Sequence, residues 1–253
     1  MKSTERIAVY IRGHIRTWDY IKQLNFDFFD SLPWQIDFYL ATWTYSEKKL
    51  NRLKKDFKNR NLKILKTFPR KDFYNPWTAP AAMSTELSKV RKEEELKNNI
   101  SYKFIIETRF DVILSLLATP QIPNDNSFGT TEIEGNFIPN SSTIVSGLSD
   151  HCFLTKSDAL DIMNLRLSID AGDDGNHITL MKFAKNHNIE IFKINWFSAT
   201  ISRPNIVETD NTHSWNTLPE DKKMNYLRIA NIDPYDYAET YHVGNTLRDN
   251  DGF

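Results

Sequence analysis

Cysteine is almost missing from this 253-residue chain. Cys152 stands alone, which excludes an intramolecular disulfide and a thiolate metal cluster. Glycine is scarce too, with 8 residues, so each one beside a strand end carries extra weight. No apolar run approaches the ~18–20 residues that a bilayer span needs; Val112–Ala118 comes nearest. The five apolar residues after Arg6 are too short for the core of a signal peptide, and the expected location is cytoplasmic. Several motifs are also absent. There is no G-x-G-x-x-G after the first strand and no phosphate-binding G-x-x-x-x-G-K-[ST], which counts against a dinucleotide fold and a P-loop NTPase. Without H-E-x-x-H or paired Cys/His spacing a zinc site has no support, and without G-x-S-x-G neither has an α/β-hydrolase.

What is present describes an ordinary folded protein. Hydrophobic residues make up 40%, aromatics 13% and charged residues 26%, which excludes disorder, collagen-like repeats and a coiled coil. A chain of this length buries about three quarters of its unfolded surface, enough for one sizeable core. The net charge of −1 hides an uneven distribution. Residues 1–100 hold 20 Lys/Arg against 12 Asp/Glu, and residues 101–253 hold 12 against 21. Between Lys48 and Lys71, 11 basic residues face only Asp56. Such a run is either a solvated face or a docking surface for a polyanion such as a phosphate backbone. Its candidate contacts are Lys48, Lys49, Arg52, Lys54, Lys55, Lys58 and Arg60.

Strands and helices alternate through the first half. Arg6–Ile11 reads as a buried strand with a breaker at Arg12-Gly13. A helix is expected from Thr17 to Asp30, with Trp18, Ile21, Leu24, Phe28 and Phe29 at helical spacing. Further strands follow at Ile36–Ala41, Leu62–Lys66 and Tyr102–Glu107. Between them lie helices at Ser46–Asn59 and Ser84–Lys97, the latter with Leu87, Val90 and Leu96 on one side. The alternation predicts an α/β fold: a Rossmann-type, mostly parallel sheet with helices on both faces, in one domain. The second half is more irregular. It has short β pieces at Gly135–Ile138, Thr143–Ser146 and Cys152–Thr155, helices at Ser157–Leu167 and Gly175–Asn186, and a strand at Ile189–Ile194. A last helix is expected at Pro219–Ala230.

In an open parallel sheet, ligands bind outside the carboxyl ends of the strands. After the first strand come Arg12, Gly13, His14 and Arg16; after the second, Trp43 between two threonines; after the fourth, Arg109 and Asp111. Guanidinium forks suit phosphate oxygens, glycine lets a ligand approach the backbone, and an indole can stack on a base or sugar.

Three segments resemble a family. Val9–Trp18, Ala41-Thr-Trp43 and Tyr102–Asp111 are similar to a branch of the GT-A-fold glycosyltransferases found in surface-polysaccharide clusters and phage genomes. That branch shows G-[QH]-x-R-T after the first strand and R-x-D where most GT-A enzymes show D-x-D. The helix containing Ser88–Leu96 also looks like it, and the likeness is good over about the first 115 residues. It implies a GT-A-like domain over residues 1–253, with a nucleotide-sugar-binding half at 1–115 and an acceptor-side half at 116–253. It further implies a nucleotide-sugar donor, with UDP-sugars foremost. Arg109 and Asp111 would hold the donor diphosphate, directly or through a divalent metal such as Mn²⁺ or Mg²⁺. Gly147 would lie near the donor sugar, Asp173 or Asp174 would supply the base of an inverting enzyme, and His242 would join Asp111 as a metal ligand. A retaining enzyme needs no such base, and Asp173 and Asp174 also suit the N-terminus of the helix that follows.

The resemblance leaves the acceptor open between DNA and a glycan. The basic run and the Lys/Asn-rich composition point to hydroxymethylcytosine in phage DNA, which would place the enzyme in the host cytoplasm. The alternatives are surface polysaccharide or lipopolysaccharide synthesis, or a non-catalytic module that binds nucleotides or nucleic acid. Other residues invite simpler roles: a loop hydrogen bond or ligand contact for His14, burial for Cys152, packing or stacking for Trp77, Trp196 and Trp215. Asp150 and His151 fall on the acceptor side by position alone.

Overall fold

The computed structural model describes residues 4–15, 17–69, 79–131, 133–137, 144–148, 151–165 and 175–201. In chain order its elements begin with β1 (Arg6–Gly13), α1 (Trp18–Ser31), β2 (Gln35–Trp43), α2 (Glu47–Asp56), β3 (Asn61–Phe68), α3 (Ala79–Asn98) and β4 (Tyr102–Arg109). There follow β5 (Val112–Leu116), β6 (Ser127–Thr130), β7 (Ile133–Phe137), β8 (Ile144–Leu148), β9 (Cys152–Thr155), α4 (Ser157–Asn164), α5 (Gly175–Asn186), β10 (Glu190–Lys193) and β11 (Phe197–Ile201). Seven strands form one sheet in the order β3-β2-β1-β4-β9-β6-β10. β1, β2, β3 and β4 pair in parallel, while β9 runs antiparallel to both β4 and β6.

Each central strand is buried on both faces, and that is why its middle is an apolar run, Ile7–Ile11, Phe38–Ala41 and Phe104–Ile106. One face of the sheet sets Ile7, Val9, Ile11, Phe38, Leu40, Phe104 and Ile106 against the aromatics of α1 and the residues around α2. Trp18 is the centre of this layer, stacked on Phe57 at 5.4 Å and meeting Phe26 and Phe110 edge-on. The other face sets Ala8, Tyr10, Tyr39, Ala41, Tyr102 and Ile105 against α3, α4 and α5. Helices on both faces of a mostly parallel sheet are the architecture expected from the alternation.

The differences lie at element ends and in short strands. α3 starts at Ala79, five residues before the expected Ser84, with Pro80 in its first turn, where a missing N–H costs nothing. Its buried stripe runs through Met83, Ser84, Leu87, Ser88 and Arg91. Glu95 continues that stripe by pairing with Arg91 at 3.2 Å, and Leu96 falls off it at 85% exposure. On α1 the inward place expected of Leu24 belongs to Asn25, and Leu24 is exposed. The reason is a hydrogen-bond pair: Asn25 Nδ2 donates to the Val112 carbonyl at 2.8 Å, and its Oδ1 accepts from the Leu114 N–H at 2.9 Å. A helix side chain thereby satisfies β5, which pairs antiparallel with β11 on its other side. The strands β5, β6 and β11 have no counterpart in the sequence reading, and the expected helix Pro219–Ala230 lies outside the described residues. Among the described residues no helix is long and apolar enough to cross a membrane.

Candidate functional site at the carboxyl edge of the sheet

Register brings the candidate residues to one edge. Gly13 is level with Thr42 across β1–β2, and Arg12 is level with Arg109 across β1–β4. Thr42 Oγ1 donates to the Gly13 carbonyl at 2.7 Å, and the Phe110 N–H donates to the Arg12 carbonyl at 3.2 Å, so the three strand ends are tied together. Gly13 has φ +97°, a left-handed conformation that glycine adopts without strain, and a Cβ built there meets nothing within 4 Å among the described residues. Among the described residues nothing covers Gly13. Gly129 in β6 is scarce glycine used differently: a Cβ there would run into the ring of Phe192.

Arg12 is drawn under this edge rather than out of it. It is 2% exposed, and its Nε donates to Glu107 Oε1 at 2.5 Å. Ser84 on α3 donates to the other carboxylate oxygen at 2.6 Å. Arg109 and Asp111 form the second ion pair of the edge. Arg109 Nε donates to Asp111 Oδ1 and Nη2 to Oδ2, both at 2.8 Å, a two-bond fork. Asp111 is buried, and the Arg109 side chain keeps 18% exposure. Between them Phe110 is fully buried against Trp18, which anchors the turn in the core.

A third group comes from β2 and the segment after it. His14 Nδ1 and the Tyr45 hydroxyl share a hydrogen bond at 3.1 Å, and the His14 ring lies 5.6 Å from that of half-buried Trp43. Lys49 Nζ sits 4.9 Å from the centre of the Tyr45 ring, a cation–π contact. Thr17, at the start of α1, has a buried hydroxyl with no hydrogen-bond partner among the described residues. On the far side of the edge Thr108 Oγ1 donates to the His151 carbonyl at 3.4 Å, a long bond. Cys152, level with Thr108, is fully buried; burial pushes its thiol well above the usual range and keeps it protonated.

The structure thus brings together Arg12, Gly13, His14, Trp43, Arg109 and Asp111. Gly147 lies in β8, paired with Glu134 of β7. Arg16, Asp150, Asp173, Asp174, His242, Trp77 and Trp215 lie outside the described residues. Trp196 is buried in the core against Phe28 and Phe197. The basic run does not form a single face. Lys49 is buried at the edge, Arg52 pairs with Asp19 at 3.3 Å, and Arg60 forks onto Asp30 at 2.7 and 2.9 Å. Lys48, Lys54, Lys55 and Lys58 are exposed.

Three contributors escaped the sequence reading: Glu107, Ser84 and Tyr45. Glu107 did leave a signal, since a carboxylate inside an apolar strand needs a cationic partner. Nothing local marks Ser84 or Tyr45.

A divalent cation is the group the family resemblance implies here. Both oxygens of Asp111 are taken by Arg109, and no three His, Cys, Asp or Glu side chains gather among the described residues. His242, the second ligand that the resemblance implies, lies outside the described residues. A cavity of about 260 Å³ lies at the opposite end of the strands, lined by Arg6, Gln35, Asn59, Arg60 and Asn61 among others. Its arginines are bound to Asp37 and Asp30, which makes it a seam of the fold.

No protein-family model matches the chain, and no curated protein matches its sequence. Among solved structures, the apo form of the glycosyltransferase GlyE from Streptococcus pneumoniae TIGR4 aligns with a TM-score of 0.41 at 7% identity, over 76% of this chain and 46% of that one. A second crystal structure of GlyE from the same organism gives 0.42 at 9% identity, with the same coverage. This chain spans less than half the length of the structures it matches. At that score and identity no residue correspondence follows.

Proposed function

We propose that the chain is a nucleotide-sugar-dependent glycosyltransferase. The observation that carries this reading is the edge itself: a left-handed glycine, an indole, an imidazole and an arginine fork at the carboxyl ends of three adjoining parallel strands. The R-x-D and G-[QH]-x-R-T resemblances support it. In the reaction the bond from the sugar C1 to the diphosphate oxygen breaks, and C1 bonds to an acceptor hydroxyl oxygen. The diphosphate leaves with growing negative charge, which Arg109 meets where it develops. Gly13 admits the donor to the backbone, and Trp43 with His14 offers rings to the base or ribose. If the reaction inverts, Asp173 or Asp174 takes the acceptor proton; if it retains, neither is required.

The donor in this reading is a UDP-sugar held by residues 1–115, with the acceptor approaching residues 116–253. Exposed Lys54, Lys55 and Lys58 favour duplex DNA bearing hydroxymethylcytosine as the acceptor. A surface glycan is the other acceptor class.

The test is thermal unfolding with UDP, GDP, CMP and dTDP, each with EDTA or Mn²⁺. A ligand at ~100 times its dissociation constant adds about 2.7 kcal/mol, a plain shift of the midpoint. A shift with one nucleotide is expected, followed by release of that nucleotide from its sugar conjugate. Binding without release would make the protein a nucleotide-binding module. No shift with any of the four overturns the reading.

A further inference from the structure

We infer that Thr42 is a positioning residue of the candidate site: its hydroxyl holds the Gly13 carbonyl and so fixes the strand end that the donor meets. This rests on the nucleotide-sugar reading above.

The hydrogen bond is the first argument. Successive carbonyls at the end of β1 turn to opposite neighbours. That of Arg12 accepts from the Phe110 N–H just past β4 at 3.2 Å, and that of Gly13 accepts from Thr42 Oγ1 on β2 at 2.7 Å. Thr42 is level with Gly13 in the β1–β2 register and is fully buried, so it acts on the edge through Gly13. Its β-branched side chain is stiff about χ1, which presets the direction of the hydroxyl.

Conformational freedom is the second argument. Gly13 stands at φ +97°, but glycine populates positive and negative φ about as readily, so the residue alone does not select this state. The bond from Thr42 selects it. Because the peptide unit is planar, holding the carbonyl also fixes the Gly13–His14 peptide and the direction in which the chain leaves β1. His14 then reaches Tyr45 at 3.1 Å, and its ring lies 5.6 Å from that of Trp43, the residue after Thr42. One buried hydroxyl thus sets the glycine and, through it, the imidazole relative to the indole. A site that is competent in one arrangement binds more weakly in proportion to the molecules that leave it.

Thr155 supplies the control. It is fully buried too, and its Oγ1 donates to the Ser127 carbonyl at 2.9 Å. It is level with Ile105 in the middle of β4, away from the strand ends.

The experiment is calorimetric titration of each variant with the nucleotide that shifts the thermal midpoint, at a temperature where circular dichroism shows the variant folded. Thr42→Val keeps the shape and removes the hydroxyl, and it should bind at least about tenfold more weakly. Thr42→Ser restores the hydroxyl and should bind within about threefold of wild type. Thr42→Ala also lacks the hydroxyl and takes the place of Thr42→Val if that variant does not fold. Thr155→Val loses a like bond; its thermal midpoint should fall while its nucleotide affinity stays within about twofold of wild type. Nucleotide binding by Thr42→Val within about twofold of wild type, or an equal loss in Thr155→Val, overturns the inference and leaves the glycosyltransferase reading intact. Absence of nucleotide binding by wild type overturns both.

Discussion

Arg12 and Glu107, ninety-five residues apart, meet at 2.5 Å under the carboxyl edge of the sheet, both almost wholly excluded from solvent. The pair joins β1 to β4, and through Ser84 it also engages α3. Its place explains how the exposed residues above it are held: Gly13 follows Arg12 directly, and Arg109 lies two residues past Glu107. A buried ion pair is weak evidence of net stability, because desolvation of both charges offsets their attraction. Removing one partner is another matter.

Glu107→Ala should therefore lower unfolding stability by about 3–5 kcal/mol, since it breaks a buried ion pair by removing one partner. Ser84→Ala leaves one carboxylate oxygen short and should cost about 1–3 kcal/mol. The double replacement Arg12→Met with Glu107→Leu should recover much of the loss of Glu107→Ala. Urea unfolding of the single and double variants gives the coupling energy directly. If Glu107→Ala is no less stable than wild type, the pair is not the tie described.

The basic run makes a separate prediction about the acceptor. Arg52 and Arg60 are engaged with Asp19 and Asp30, and of the exposed cations Lys48, Lys54, Lys55 and Lys58 the last three are the ones to vary. Each phosphate contact adds about 0.9 to the slope of log affinity against log salt, so changing all three lysines to glutamate should reduce that slope by about 2.7. Duplex affinity should fall, and nucleotide affinity should stay as in wild type. An unchanged slope, measured by fluorescence anisotropy over a salt series, would remove DNA from this face and leave the glycan acceptor.

The central strands and helices were legible because their physics is local. A strand buried on both faces is mostly apolar, and β1, β2 and β4 announce themselves by apolar runs in their middles. β6 is Ser127-Phe-Gly-Thr130, with no run and no alternation; it exists because β9 and β10 pair with it. β5 and Asn25 illustrate the same point, since the amide that completes the strand comes from a helix 87 residues earlier. The site divides along the same line. Gly13, Trp43, Arg109 and Asp111 could be named because strand ends in a parallel sheet face ligands. The roles of Glu107, Ser84 and Tyr45 depend on partners 23 to 95 residues away, and no short pattern encodes them. Leu96 shows the reverse case, an apolar residue at helical spacing that the fold leaves in water because Arg91 and Glu95 occupy the stripe.

Cys152 carries a prediction about pH. Its thiol is fully buried beside Thr108 and Glu107, and burial raises it above the ordinary value of 9.0. The sign follows from linkage. A group whose pKa is raised by folding keeps its proton in the native state, while the unfolded chain loses it above the ordinary value. The thiol's contribution is therefore full below about pH 9 and falls by about 1.4 kcal/mol for each further pH unit until the native thiol itself ionises. Cys152→Ala lacks this dependence. The stability of wild type relative to Cys152→Ala should hold constant from pH 6 to 8 and decline between pH 9 and 10.5, as read by urea unfolding at each pH. The same burial should protect the native thiol from alkylation at pH 9 and expose it on unfolding. Rapid labelling of the folded protein, or a constant difference across the alkaline range, would show that Cys152 is not sealed in the core between β4 and β6.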